Sequence, residues 1–547
     1  MPSLPRLERY AGHTRLIVDD EPFLCIGGEL HNSSSSDRQF MAPLWAKIAQ
    51  SKANTVIATV AWDQIEPSEG VFDFSAVDGL IEDAGSAGMK LVIIWFGAFK
   101  NASSTYAPSW VRGDTSRFPR AERGSQTMET PFSYKGSMPR PTLSVFSKNL
   151  YEADKAAYCR FMAHLAETDT RHTLIMVQVE NEVGLLGAGR DRSAAALTAW
   201  QLPVPEVLRK ALANNERSFD PSLAAVLHPI TTSDTSWEEH FGDGNPNADE
   251  AFMACAFATY VGGLAAAGKE ILNLPAYANA WIGPQPGQDL PGNYPSGGPT
   301  AKMLPVWQAI APALDFLAPD IYVPNSAEIM AQYALPENVL FIPEAKFRAG
   351  DAFLAVGRFG GLGYHVFGLE DGRAGNQYSR ACQAITSLTR EIVDAQRDGR
   401  IFGFALEQDE DDVATNFGGI TVSIRNAAKL YRAMLLDAGV VLPPPAELPG
   451  ETEGSAHGHT PGDNRPFGLI IETGPLEFLV VGQGALVDFK GADSVLEVDS
   501  VRELRLTSDG WQEGRHLNGD ERLQVLQSDT ISAARIRLIN SQLASMS

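Results

Sequence analysis

Eight apolar runs of strand length, separated by stretches of helical periodicity, fill roughly the first 400 residues, and past about Arg400 short strand signals follow one another without long helices. Together these predict an α/β chain: a (β/α)8 TIM barrel over residues 1–398, entered through an N-terminal hairpin, then a smaller all-β, sandwich-like domain over 399–547. The strand–helix–strand order implies parallel pairing through right-handed crossovers. No Gly-rich phosphate-type turn favours an open doubly wound sheet instead.

At 547 residues the chain is too long for one compact core, which fits a barrel plus a second domain. A formal net charge of −23 argues against a nucleic-acid or anionic-membrane partner, because both want clustered Lys and Arg. Self-association into a homo-oligomer stays open. The four cysteines, Cys25, Cys159, Cys255 and Cys382, are far apart, lack a C-x-x-C pair and read as buried thiols. No continuous apolar run reaches membrane-spanning length, and Met1 to Tyr10 lacks the apolar core of a secretory signal, so cytoplasm and periplasm are both compatible.

The elements follow in order. Arg15–Val18 and Phe23–Gly28, joined across Asp19-Asp20-Glu21-Pro22, read as a hairpin whose second arm enters the core and ends at Glu29 and His31. A helix over Phe40–Ser51, a strand over Thr55–Val60, a helix over Val77–Gly88 and a strand over Lys90–Phe96 come next. The long Gly97–Ser147 stretch, rich in Ser, Thr, Pro and aromatics, reads as a functional wall. A helix over Leu150–Glu167 leads to the fourth strand, and a long Ala-rich helix over Glu250–Leu272 leads to the fifth, AYANAWIGP. Asp315–Tyr322, Val339–Glu344 and Leu362–Phe367 complete the set. Beyond Arg400, strands are expected at Phe402–Glu407, Gly419–Ile424, Phe467–Glu472, Glu477–Val481, Leu486–Phe489 and Ala534–Ile539, with Leu442–Pro466 as a mobile loop.

The chemistry concentrates at two strand ends. The run Leu174–Val179 delivers Glu180, Asn181 and Glu182 abruptly at its end, and Val339–Ile342 delivers Glu344. An isolated Glu is ordinarily a surface carboxylate. A carboxylate placed directly after a buried strand is costly unless it has a purpose, and the carboxyl ends of barrel strands are where such folds keep their chemistry. Two such groups are the minimum equipment for glycoside hydrolysis, one as acid and one as nucleophile or base.

The segment VQVENEVG resembles the acid/base motif of the family-35 β-galactosidases. AWDQIEPSEGVFDFSAVDGLIEDAGSAGMKLVII is similar to that family's Trp-x-x-x-Glu-Pro, Gly-x-Phe-Asp-Phe stretch, and the family-42 β-galactosidases share much of this logic. The resemblance covers roughly the first 400 residues. It implies a retaining exo-β-glycosidase acting on a β-galactoside or related oligosaccharide, with Glu182 as general acid/base, Glu344 as nucleophile and Asn181 on the sugar's 2-hydroxyl. Tyr322 would donate its hydroxyl to Glu344. Glu180 is then a decoy on the opposite side of the strand, and Asn181 and Glu182 reach one pocket only if the strand ends or bulges there.

Further substrate-binding candidates are Glu29 and His31 after strand one, and the aromatic faces of Trp62 and Trp281, which lead a set that includes Trp95, Trp110 and Trp237. Lys100 and Asn101 stand where better-known family-35 members carry a Cys-Ala-Glu segment that grips galactose, and His31-Asn32 replaces a His-Tyr, departures that bear on sugar specificity. Glu66 in WDQIEP is expected to shape its loop. No cofactor and no metal is expected: acidic runs such as Asp409–Asp412 are mostly solvated, and no His-x-His or His-Glu-x-x-His spacing occurs. A catalytically silent carbohydrate-binding barrel and a hydrolase of another β-linked glycan are the competing readings.

Overall fold

The computed structural model describes residues 3–10, 12–124, 141–214, 220–227, 235–373, 375–443, 463–492, 494–507, 510–523 and 525–541. The middle of the Gly97–Ser147 wall and most of the Leu442–Pro466 loop lie outside the described residues.

The chain opens with β1 (Arg6–Tyr10), β2 (His13–Val18) and β3 (Glu21–Phe23), a small sheet in that order. Asp19 and Asp20 turn the hairpin with φ of 52° and 65°. A two-residue turn of that hand matches strand twist, and short polar side chains tolerate it. Eight further strands follow: β4 (Cys25–Glu29), β5 (Thr55–Ala61), β6 (Lys90–Lys100), β7 (Leu174–Asn181), β8 (Ala276–Trp281), β9 (Phe316–Ile321), β10 (Glu344–Ala345) and β11 (Gly363–Phe367). They form one sheet in the order β10-β9-β8-β7-β6-β5-β4-β11, and a parallel bridge from Ile342 to Tyr364 joins the lead-in of β10 to β11. The α/β barrel is therefore nearly closed.

Two strands differ from expectation. β6 runs on to Lys100 rather than ending at Phe96, because its far end is a bulge that stays paired to β7. β10 is only Glu344–Ala345, because Pro343 has no N–H to give the ladder, although Leu340, Phe341 and Ile342 before it are fully buried.

The helices form where apolar residues recur at helical spacing. In Lys148–Thr168 the Ser147 side chain accepts from the Leu150 amide at the N-cap, and Leu150, Tyr158, Phe161 and Leu165 line the buried face. The helix Pro246–Ile271 corrects the expectation that no run reaches membrane-spanning length. Its length and apolar composition suffice by themselves, but 72% of the apolar window is buried inside the protein. Cys25, Cys255 and Cys382 are buried free thiols and Cys159 is half-buried. Burial pushes the Cys25 and Cys382 thiols up to about 12, so they stay protonated and unreactive.

Contacts divide the chain into two compact units: Met1–Arg6, Leu30–Pro43 and Val56–Ile321 form one, and Leu7–Glu29, Leu44–Thr55 and Tyr322–Ser547 the other. Within the second unit, two antiparallel sheets follow the barrel strands. β12 (Ile401–Ala405), β15 (Phe467–Gly474), β16 (Glu477–Gln483), β18 (Val495–Thr507), β19 (Gly510–Leu517) and β20 (Ser532–Ser541) make a six-stranded sheet ordered β12-β15-β16-β20-β18-β19. β13 (Asp412–Phe417), β14 (Ile420–Asn426) and β17 (Ala485–Gly491) make a three-stranded one. Phe417, Val422 and Ile424 from the smaller sheet share a core with Ile470, Phe478, Val501 and Ile536 of the larger, and the Phe417 and Phe478 rings meet edge-on at 5.8 Å. The region also holds an exposed helix, Ala427–Asp437, and the strands β13, β18 and β19, which the sequence reading did not contain.

One buried ion network ties this β region to the helix Ala349–Gly357. Arg465 donates to both Asp463 oxygens at 2.8 and 2.7 Å, to Asp351 at 2.7 Å and to Glu407. Asp463 in turn accepts from the Gly350 amide at 2.9 Å. Burial alone would push the Asp463 carboxyl up, but the Arg465 bonds outweigh it and hold the carboxyl below its ordinary value.

Candidate active site

The end of β7 is built by an irregularity in its neighbour. Trp95 pairs with Val179 and Lys100 with Asn181, so four residues of β6, 96–99, stand opposite the single residue Glu180. In that bulge the Ala98 and Phe99 amides turn inward and donate to the Glu180 carboxyl at 2.9 and 2.8 Å. Behind it, Asp154 accepts from Trp95 Nε1 at 2.9 Å, from the Tyr260 hydroxyl at 2.8 Å and from the Ala98 amide at 3.1 Å.

Glu180 is fully buried there, and burial first, then the Asp154 charge, pushes its carboxyl well above the ordinary value. Burial pushes Asp154 up as well, and the two carboxyls share a hydrogen bond. One proton is therefore held between them. A carboxyl raised on folding contributes stability that is full below its ordinary value of 4.5 and is lost as pH rises through its folded value. Glu180→Gln supplies the proton permanently. Its melting temperature should stay flat with rising pH while that of the unsubstituted protein falls, a difference read by scanning fluorimetry from pH 5 to pH 9. Parallel curves would refute the shared proton.

Because Glu180 faces this cluster, Asn181 and Glu182 turn elsewhere. Glu180 and Glu182 both take left-handed backbone, with φ of 62° and 44°, on either side of Asn181. Non-glycine residues pay for that conformation, and at functional sites the surroundings hold it. Here Glu182 N–H donates to Asn279 Oδ1 at 2.9 Å, Gln178 Nε2 donates to the Glu180 carbonyl at 3.1 Å, and the Asn101 and Ala102 amides donate to the Asn181 and Glu182 carbonyls. Asn181 Oδ1 accepts from Gln178 Nε2 at 3.0 Å and from Asn279 Nδ2 at 3.3 Å. Its own amide donates to Asn101 Oδ1 at 3.4 Å.

Glu344, on β10, is 5% exposed and accepts from the Tyr322 hydroxyl at 2.9 Å. Glu182, Asp320 and Glu344 are all buried, and one carboxylate oxygen of Glu182 lies within 4.8 Å of one of Asp320. Such hard oxygen donors suit a divalent cation in principle. The amide of Asn279 donates to Asp320 Oδ2 at 2.7 Å and the Tyr322 hydroxyl to Glu344, so N–H and O–H donors already serve two of the three carboxylates. Activity is expected to survive exhaustive treatment with EDTA, and recovery of lost activity by Mg²⁺ or Ca²⁺ would contradict that.

The other candidates are placed unevenly. Glu29, at the end of β4, is fully buried, and His31 just beyond it is half-buried. Lys100 is buried at the end of β6 with its ammonium 4.9 Å from the Phe96 ring centre. Trp281 is half-buried and donates its indole N–H to Gln288 at 3.1 Å. Trp62 is a correction: it is fully buried, its N–H is committed to Glu66 at 2.7 Å and Trp110 packs edge-on against it at 5.8 Å, so it offers a sugar no open face. Trp95 and Trp237 are likewise buried. Glu66 takes the Gly70 amide at 2.7 Å with its other oxygen and so closes its loop.

Sequence reasoning missed Asn279, Asp320 and Asp154. The signal was present. Asn279 and Asp320 are lone polar residues inside the apolar runs AYANAW and FLAPDI, and Asp154 lies four residues after Leu150 and four before Tyr158, on the buried face of its helix.

Residues 34–211 match the family model described as beta-galactosidase, glycoside hydrolase family 42, and residues 378–528 match a domain of unknown function, DUF5597. Family 42 is the relative named above beside family 35. No curated protein matches the chain. Among solved structures, the cold-adapted β-galactosidase of Rahnella sp. R3 is 10% identical, with 90% of this chain and 98% of that one covered and a TM-score of 0.46. The β-galactosidase of Bacillus circulans sp. alkalophilus is 10% identical over 94% and 99%, with a TM-score of 0.46. That of the psychrophilic Marinomonas ef1 is 12% identical over 68% of this chain, with a TM-score of 0.42, and the chain spans 62% of its length. The barrel thus carries, over residues 34–211, a segment that is similar to the family-42 β-galactosidase model and contains Asn181 and Glu182.

Proposed function

We propose that the enzyme is a retaining exo-β-galactosidase in which Glu182 is the acid/base and Glu344 the nucleophile. The observation that carries the reading is that each is a buried carboxylate at a barrel strand, Glu182 directly after β7 within the segment that matches the family-42 model and Glu344 on β10 under the Tyr322 hydroxyl. Retaining glycosidases hold their carboxyls about 5–5.5 Å apart, whereas inverting ones leave about 6.5–9.5 Å for a water.

In the first step Glu344 attacks the anomeric carbon while the bond to the aglycone oxygen breaks and Glu182 gives that oxygen its proton. The negative charge of Glu344 favours the protonated form of Glu182 beforehand. Once Glu344 is esterified that charge is gone. Glu182 then takes a proton from water, the water oxygen bonds to the anomeric carbon, and the ester electron pair returns to Glu344. Asn181, fixed by Gln178 and Asn279, is the proposed partner of the 2-hydroxyl. Glu29, His31, Lys100, Asn101 and Trp281 remain the proposed contacts for the rest of the sugar.

Galactose as the sugar is supported by the family-42 match over residues 34–211 and by the family-35 likeness of VQVENEVG. Proton NMR of the first-formed product from a nitrophenyl β-D-galactoside tests both parts of the reading. The β-anomer is expected to appear first. The α-anomer appearing first would remove the double displacement, and turnover of another β-glycoside with galactosides inert would move the substrate to the second reading, another β-linked glycan.

A further inference from the structure

We propose that Asp320 is a positioning residue for Glu182: a third carboxylate, tethered by Asn279, whose charge keeps the proton on Glu182 before attack and makes Glu182 the stronger base afterwards. The inference rests on the reading of Glu182 as acid/base.

Asp320 is the fifth residue of β9 and is buried in a strand that is apolar apart from it. A carboxylate in such a run is costly unless it is held and used. It is held: Asn279 Nδ2 donates to Asp320 Oδ2 at 2.7 Å, and Oδ1 of the same amide accepts the Glu182 N–H at 2.9 Å. One side chain thereby links the carboxylate of Asp320 to the backbone of Glu182, which is one of the two left-handed residues at the end of β7. An amide that accepts from one partner and donates to the other cannot flip without breaking both bonds.

The charge is close enough to matter, since an Asp320 oxygen lies within 4.8 Å of a Glu182 oxygen. On the adjoining β6 the cation in register is Lys100, opposite Asn181 with its ammonium on the Phe96 ring, and the other acidic group of the proposed mechanism is Glu344. The difference between the two acidic neighbours lies in what survives the first step. Glu344 loses its charge on becoming an ester, whereas Asp320 keeps its own through the whole cycle. During the second half-reaction Asp320 is therefore the neighbouring anion that favours proton uptake by Glu182.

Asp320→Asn tests this by removing the charge while keeping an acceptor for Asn279. The alkaline limb of kcat/KM on 4-nitrophenyl β-D-galactoside should move by about one pH unit toward acid. With 2,4-dinitrophenyl β-D-galactoside, where the second step limits, kcat should fall by about tenfold with KM little changed. Asp320→Glu, which keeps the charge, should keep the limb. If Asp320→Asn does not fold, Asp320→Ser gives the same reading. Asn279→Leu supplies an independent one: it releases the tether but not the charge, so kcat should drop with the limb in place. An unmoved limb in the charge-removing variants, a raised KM with normal kcat, or a shifted limb in Asn279→Leu overturns the proposal. Unchanged turnover in Glu182→Gln and Glu344→Gln would instead remove the reading beneath it.

Discussion

Glu182→Gln is expected to lower kcat/KM on galactosides with poor leaving groups by about 10²–10⁴-fold, the usual worth of a positioned proton donor. The loss should shrink sharply for 2,4-dinitrophenyl galactoside, whose aglycone departs without a proton. Glu344→Gln removes the bond-forming group and should be at least as damaging with every leaving group. The contrast between the two variants is the informative result, because a merely structural glutamate would not distinguish leaving groups. Equal losses for both aglycones in Glu182→Gln would remove its acid role. The double variant should lose little more than Glu344→Gln alone, since groups that act in one sequence are not additive.

The second large effect lies far from that chemistry. Arg465→Ala takes from Asp351 and Asp463 the cation that bonds both, leaving only Arg348, 3.7 Å from Asp351, and breaking one partner of a buried ion network costs about 3–5 kcal/mol. The sign of the pH dependence follows from Asp463. Its lowered carboxyl contributes stability above the ordinary value of 3.8 and loses it as pH falls through the folded value. In the variant that acid-side loss should flatten, and the melting temperature at neutral pH should drop by several degrees. Arg465→Ala with wild-type melting would show that the network is not coupled to folding.

The barrel was legible because its strands are apolar on both faces and its helices keep a strict apolar stripe, so period and length together set each element's type. Glu182 and Glu344 were legible for the same reason, since each stands directly after such a run. Asp320 and Asn279 were passed over because a single polar residue inside an apolar strand does not change its period. Their purpose becomes visible only when β7, β8 and β9 lie side by side. Trp62 shows the opposite error. Its place beyond a strand suggested a sugar platform, but Glu66, four residues on, satisfies the indole N–H and lets the ring sink into the core. β18 was missed because Glu497, Asp499, Arg502, Glu503 and Arg505 break its apolar alternation, and only two of its 13 side chains are buried.

Gly97 stands in the bulge of β6, where an added Cβ would lie 2.4 Å from Trp95 Nε1 and 2.7 Å from oxygens of both Asp154 and Glu180. Any attempt to redesign the enzyme's sugar preference by randomising this strand therefore meets an immovable codon. Lys100 and Asn101 at least carry side chains that can be exchanged, though Asn101 bonds Asn181 and takes left-handed backbone, whereas even alanine at Gly97 pushes against the buried Asp154 and Glu180 carboxyls.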